Sequence, residues 1–374
     1  MHLVDSRDRR PHALDLAEPV RIYSCGYTPR ERIHLGNARP FVLADLLRRA
    51  VDAAGAEAVL VQAVSDVDRR VDAAASAADQ TRQSFVAARV EAYLADSSSI
   101  GVRASHRRPV ASDHIEAMIG LVAALHDQGL TTEDEAGLRL TGAPSLASVD
   151  LEHLDPDGVI RSMMCFTGQQ WDVRREPLLW RRDLTSGWCS PWGTGLPDES
   201  VVCAALAHTY LGTPVSVHVG SVDLYSHHEI EMAAGTFAYG DELATTWIHS
   251  GLVHVGGQRM ANSAGNVIPV HQAVAEVGPD AVRLLYLGTH YAEPLDADRT
   301  RLHAARRRAD RLRSAIGSAP QHAEESGLLS AVRGALDADL DTPLAINLLE
   351  EAAAGTVGQA ELRAASSLLG VLYM

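Results

Sequence analysis

The run Cys25-Gly26-Tyr27-Thr28-Pro29 leads into His34-Leu35-Gly36-Asn37-Ala38-Arg39. A strand that ends, a glycine that lets the backbone turn and small residues that open a helix would set backbone N–H groups and an imidazole at a helix N-terminus. That arrangement suits a triphosphate. By itself it also reads as an ordinary structural turn. In His227-His228-Glu229-Ile230-Glu231 the first histidine and the last glutamate are four apart. On a helix they share a face and can reach one metal ion. On spacing alone the same run is also a solvated acidic helix start. Cys25 and Cys203 offer two thiolates that would complete a tetrahedral zinc site, although no local CxxC spacing ties them to it.

The elements that must position these residues follow from pattern. Arg21 to Ser24 is β-prone, residues 38–53 read as a helix, and Ala58 to Val64 reads as a buried parallel strand. Strand, helix, strand is the signature of a doubly wound sheet. The stretch from about 100 to 185 has Gly/Pro breaks and reads as an insertion. Val215 to Val219 is a strand candidate and His227 to Ala234 a helix candidate. The chain after about 275 is helical, with a joint near Ser318 to Ser326. The expected fold is therefore α/β: residues 1–100 and 186–275 form two halves of a Rossmann-like domain, 101–185 a connective insertion, and 276–374 a helical C-terminal domain.

Composition sets the broad class. The chain has 374 residues, 46% of them hydrophobic, which is ample for a buried core. A net charge of -15 disfavours a large phosphate-binding face. All 33 basic residues are arginine, so chemistry that needs a lysine amine is excluded. The N-terminus lacks an apolar core and no run is long enough to span a bilayer, so a cytoplasmic protein is expected, as a monomer and away from membranes. Cys165 and Cys189 read as incidental, Trp180 and Trp192 as packing, and Arg306 to Arg308 as a solvated helix face.

Taken in order, these segments resemble the cysteinyl-tRNA synthetases and their paralogue, the cysteine ligase of the mycothiol pathway. Tyr23 to Thr28 with His34 to Arg39 resembles that family's opening. Ser65-Asp66-Val67-Asp68 stands at a Thr-Asp-x-Asp element, and Ser190 to Pro197 resembles SPWGxGxP. Asp223-Leu224 with His227 to Glu231 matches DL…HHExE. Trp247 to Gly251 matches WxHxG, Gln258 to Asn266 stands at the KMSKS loop, and Asp337 to Pro343 matches DDLDTP.

The resemblance implies a class I synthetase-type (HUP) catalytic domain that uses ATP with Mg2+. It implies a zinc site of Cys25, Cys203, His227 and Glu231, where a substrate thiolate binds and sulfur is selected over oxygen. It places His34, Asn37, Arg259, Asn262 and Ser263 in catalysis. Thr28, Gly36, Asp223, Trp247 and Met260 join His34 and Asn37 around the nucleotide. Cys25, Gly26, Thr28, Ser65, Glu199 and Asp223 would line the amino-acid pocket, and His228 and His249 would reach the nucleotide or support the site from behind.

Three departures bear on function. The second lysine of the mobile loop, which stabilises leaving pyrophosphate in the family, is Asn262. Loss of such a contact costs on the order of 10²–10³ in rate. The tryptophan that walls the cysteine pocket is Glu199, and the Thr of the Thr-Asp-x-Asp element is Ser65. The chain also continues only briefly past Pro343. With the acidic charge, this favours a small-molecule amine as acceptor and makes tRNA an unexpected partner. The expected activity is formation of a cysteinyl (or related) adenylate and then an amide. The alternatives are a catalytically degenerate zinc-containing binding protein and, less favoured, true tRNA charging.

Overall fold

The computed structural model describes residues 1–141, 176–185, 187–321, 323 and 326–372. Cys165 lies outside them, and so does part of the 318–326 joint. Within that joint, Gln359 N donates to Pro320 O and Ser326 Oγ to Glu361.

Four parallel strands form the central sheet: β1 (Val20–Tyr27), β2 (Ala58–Val64), β7 (Val215–Ser221) and β8 (Ala244–Ser250), in the order β8-β7-β1-β2. Both faces are covered, so the strands are continuous apolar runs with few polar interruptions. The order reverses between β1 and β7: the chain leaves β1 toward β2 on one side and returns as β7 on the other. Ligands of open α/β sheets bind in the crevice beyond the strand C-termini at such a switch point. Here that crevice is bounded by Cys25 to Thr28 and by Gly220 to Asp223.

Helix α1 (Leu35–Ala53) connects β1 to β2, beginning three residues earlier than its apolar pattern predicts because His34 caps it. α2 (Arg69–Ala77), α3 (Arg82–Ser99) and α4 (Ile115–Asp127) follow. The insertion region carries an antiparallel sheet of β3 (Thr131–Asp134), β4 (Gly137–Leu140), β5 (Leu178–Arg182) and β6 (Gly195–Pro197). α5 (Glu199–Leu211) precedes β7, and α6 (Tyr225–Tyr239) joins β7 to β8. α7 (Val270–Val277), α8 (Pro279–Leu287), α9 (Arg299–Ser318), α10 (Leu328–Asp337), α11 (Thr342–Ala353) and α12 (Gln359–Leu369) complete the chain.

A buried charge network fixes the helical region to α1. The carboxylate of Asp45 on α1, fully buried, accepts from Arg283 Nη2 on α8 at 2.6 Å, from Arg49 Nε at 2.7 Å and from the Arg103 backbone N–H at 3.0 Å. Arg283 also donates to Leu369 O and Ile100 O, and Arg49 to Ser367 O and Gly101 O. Burial alone would raise the Asp45 carboxyl, but the charges of Arg283 and Arg49 hold it below the usual carboxylate range. Gly370, at φ +73, leaves room for the guanidinium, which a β-carbon there would approach to 2.5 Å.

Removing one member of a buried network strands its partners. Asp45→Asn is expected to lower the unfolding free energy by about 3–5 kcal/mol, read as a urea midpoint shift at neutral pH. An unchanged midpoint would show that the network does not hold α12 and α8 to α1.

Candidate active site

The end of β1 carries Cys25. Its neighbour Gly26 lies so close to β2 that a β-carbon would sit 2.3 Å from Ala63 O, so only glycine lets the strand deliver Cys25 and Thr28 to the crevice. β7 does the same at Gly220, where a β-carbon would sit 2.2 Å from the His228 ring. α5 brings Cys203 from beneath and α6 brings His227 and Glu231, one turn apart, from the side. Their ligand atoms all lie within 4.8 Å of one another.

The cluster is almost sealed from water, with Cys25, Cys203 and Glu231 at 8%, 1% and 0% exposure. Cys25 Sγ lies 3.8 Å from Cys203 Sγ and 3.9 Å from Glu231 Oε2, and His227 Nε2 lies 3.6 Å from Glu231 Oε2. The hydrogen bond from Cys25 draws the Cys203 thiol down to about 6 against burial. Burial pushes the Cys25 thiol well up and the Glu231 carboxyl up to about 8. Burial would lower His227, yet its hydrogen bond to Cys203 and the surrounding negative charge raise it to about 10.

A second shell of histidines stands behind. His218 Nε2 lies 2.9 Å from Glu231 Oε1, His228 Nε2 lies 3.0 Å from Cys25 Sγ, and His228 Nδ1 lies 2.7 Å from His249 Nε2. Burial drops His218 and His249 to about 3, so both rings are neutral. Cys25, His218, His228 and Glu231 also converge closely enough for an ion. Of the two sets, Cys25, Cys203, His227 and Glu231 is the better fit. His227 and Cys25 line the cavity, whereas His218 and His228 do not. Two sulfurs, an imidazole and a carboxylate are a donor set suited to Zn2+. A divalent cation would displace the protons that Cys25, Glu231 and His227 otherwise hold there.

The cavity over the cluster measures about 790 Å3 and receives most of the residues singled out in the sequence. Gly26, Thr28, His34, Gly36, Asn37, Glu199, Asp223, Arg259, Met260, Asn262 and Ser263 all line it. His34 caps α1: its Nδ1 accepts from Gly36 N at 3.1 Å and from Asn37 N at 3.4 Å, while Asn37 Oδ1 accepts from His34 N at 2.7 Å. The reciprocal cap fixes the tautomer, leaving the proton on Nε2. Burial lowers His34 to about 4, so the ring is a neutral donor. Gly36 N also donates to Met260 Sδ at 3.2 Å, which ties the loop to the helix start.

The loop itself is shaped by a residue that the sequence reading left without a role. Asn266 accepts from Ala261 N at 2.9 Å and donates to Arg259 O at 2.9 Å. Arg259, expected near phosphates, pairs instead with Asp223 at 2.6 Å.

Two of the expected residues lie off the cavity wall. Trp247 does not border the cavity. Its ring stacks on His218 with centroids 4.0 Å apart and is 2% exposed, because its position on β8 faces the core under α6. Ser65 is likewise buried at 4%, with its N–H on Tyr27 O, and is absent from the cavity wall.

Residues 14–307 match the family of class I (C) tRNA synthetase catalytic domains. A cysteine–tRNA ligase of Parvibaculum lavamentivorans is 33% identical over 394 residues, spanning 100% of this chain and 84% of that protein. One from Gluconobacter oxydans is 33% identical over 384 residues, spanning 99% and 82%. Among solved structures, Mycobacterium tuberculosis methionyl-tRNA synthetase bound by methionyl-adenylate superposes with a TM-score of 0.64 at 16% identity, covering 94% of this chain and 83% of that one. Thermus thermophilus arginyl-tRNA synthetase gives 0.57 at 13%, covering 97% and 83%.

These findings overturn the expectation that tRNA is an unlikely partner, since the relatives are cysteine–tRNA ligases. The physical reason is that net charge is a sum over the chain while phosphate contact is local. The same relatives do not support a small-molecule acceptor. No described helix is long and apolar enough to cross a membrane.

The protons held by Cys25 and Glu231 at neutral pH must leave when a divalent cation binds. Zinc affinity is therefore expected to rise from pH 6 toward pH 8, with proton release visible as buffer-dependent calorimetric heats. Affinity independent of pH would contradict the ligand set.

Proposed function

Because the chain belongs to the family of class I (C) tRNA synthetase catalytic domains and is an ATP-dependent ligase of the aminoacyl-synthetase kind, we propose that it activates cysteine as its adenylate in the β1/β7 crevice and passes it to tRNA. The observation that carries the amino-acid assignment is the buried Cys25–Cys203–His227–Glu231 cluster opening on the cavity. These four residues would hold Zn2+, a soft Lewis acid that favours a thiol over a hydroxyl.

The remaining residues act by position and charge. The substrate carboxylate attacks the α-phosphorus of ATP, and pyrophosphate leaves. The N-terminus of α1 directs its positive end at the phosphates. His34 donates from Nε2 without carrying charge, so it stabilises phosphate oxygens without titrating near neutrality. Mg2+ would arrive with ATP. Arg259 is the cation on the 259–263 loop, and Asn262 and Ser263 offer neutral hydrogen bonds from the cavity wall. Thr28 and Gly26 shape the floor beside Cys25. The catalytic domain divided by an insertion, with a helical region behind it, is the frame that brings these groups together.

The acceptor follows from the names of the relatives, and a small-molecule amine is the alternative that the experiment separates. With zinc-loaded protein, ATP–pyrophosphate exchange is expected with cysteine and not with serine, followed by transfer to tRNA. Transfer only to a small amine would overturn the tRNA assignment. No exchange with any amino acid would make the chain a binding protein rather than a ligase. His34→Ala is expected to slow exchange by roughly 10²–10³. Asn262→Lys, which restores a cation to the loop, is expected to speed it by about tenfold or more; an unchanged rate would show that another group already meets the leaving pyrophosphate.

A further inference from the structure

Glu199 stands at the first position of α5, where Asp198 already caps the helix through Ser200 N, so its side chain is not needed for capping. The carboxylate turns to the cavity wall instead. Its one hydrogen bond among the described residues is from Thr28 Oγ1 at a long 3.5 Å. Its charged neighbours are His227 and Cys203 of the cluster and the Asp68–Arg70 pair, in which Arg70 is held by Asp68 at 2.5 Å.

The charges around it do not close. Two thiolates and the Glu231 carboxylate against one divalent cation leave one negative charge, and Glu199 adds a second in the same half-enclosed space. Glu199 is half-buried, and of the two cations near it His227 would be neutral as a metal ligand while Arg70 is shared with Asp68. The other acid on this wall, Asp223, already holds Arg259 at 2.6 Å. A substrate that places its sulfur at the cluster carries its ammonium three bonds away, within reach of the Glu199 side.

We propose that Glu199 is a specificity-determining residue that receives the substrate ammonium, so that the cavity reads a β-aminothiol unit: sulfur at the cluster and ammonium on Glu199. This rests on the thiol-binding reading above and names the part of the substrate that reading leaves open. Asp223 is thereby left to position Arg259 on the loop. A thiol without an amine, or with the amine displaced by one more carbon, fits less well.

The test is calorimetric binding, without ATP, of cysteine, cysteamine and 3-mercaptopropionate to zinc-loaded wild type and Glu199→Gln. Equal zinc content in the two proteins checks that the cluster is intact. Charge-assisted hydrogen bonds of this kind support a preference of about tenfold or more. Wild type is expected to bind cysteine and cysteamine at least that much more tightly than 3-mercaptopropionate. In E199Q the two amines should weaken to the level of 3-mercaptopropionate, whose own affinity should not fall. A preference kept in E199Q overturns the assignment, and one kept in E199Q but lost in D223N moves the ammonium to Asp223. Failure of wild type to bind any of the three thiols would overturn the thiol-binding reading itself, and this assignment with it.

Discussion

Two thiols, a carboxylate and an imidazole converge at the switch point of a parallel sheet, where a divalent cation would take the place of the protons they otherwise hold. Much of the surrounding structure is arranged around that constraint. Gly26 and Gly220 omit their side chains so that β1 and β7 can bring Cys25 and the His228 ring together. His218 braces Glu231 from behind and is itself stacked on Trp247 across the sheet, in register with Tyr23. Neutral His218 and His249 stand behind the cluster, and Cys25 and His227 open on the cavity in front of it.

The second half of the cavity is built from local chemistry. His34 and Asn37 cap α1 reciprocally, which freezes the imidazole tautomer and presents the helix terminus to the cavity. The 259–263 loop is anchored by Asn266 and drawn inward by Arg259 on Asp223. The Asp45–Arg283–Arg49 network does for the helical region what the cluster does for the crevice. It replaces a loose apolar contact by a directional one that tolerates a single arrangement of α1, α8 and α12.

The sequence showed most clearly what is decided locally. The strand at Ala58 to Val64 is a continuous β-branched and apolar run, and its bounds in the structure are those of the pattern. The HLGN cap and the one-turn spacing of His227 and Glu231 are likewise written in adjacent residues. Cys25 and Cys203 are 178 positions apart, and only the resemblance, not any spacing, linked them. The position of Trp247 off the cavity could not be read, because a matched stretch does not say which face of a strand a side chain takes. His218 could be read only as the end of a Cys203…Leu211-Gly212…His218 stretch matching the family, with nothing to show that it supports Glu231. The acidic total misled about tRNA because a sum over the chain does not locate charge. The Asp45 network was invisible because its members are spread from residue 45 to residue 283.

Zinc-edge X-ray absorption on the zinc-loaded protein, with and without cysteine, bears most directly on this account. The ligand set requires two sulfur and two nitrogen or oxygen neighbours in the protein alone. With cysteine the sulfur count should rise to three, and with serine it should stay at two. A shell with no sulfur, or one that cysteine leaves unchanged, would contradict a thiol-selecting centre at Cys25, Cys203, His227 and Glu231.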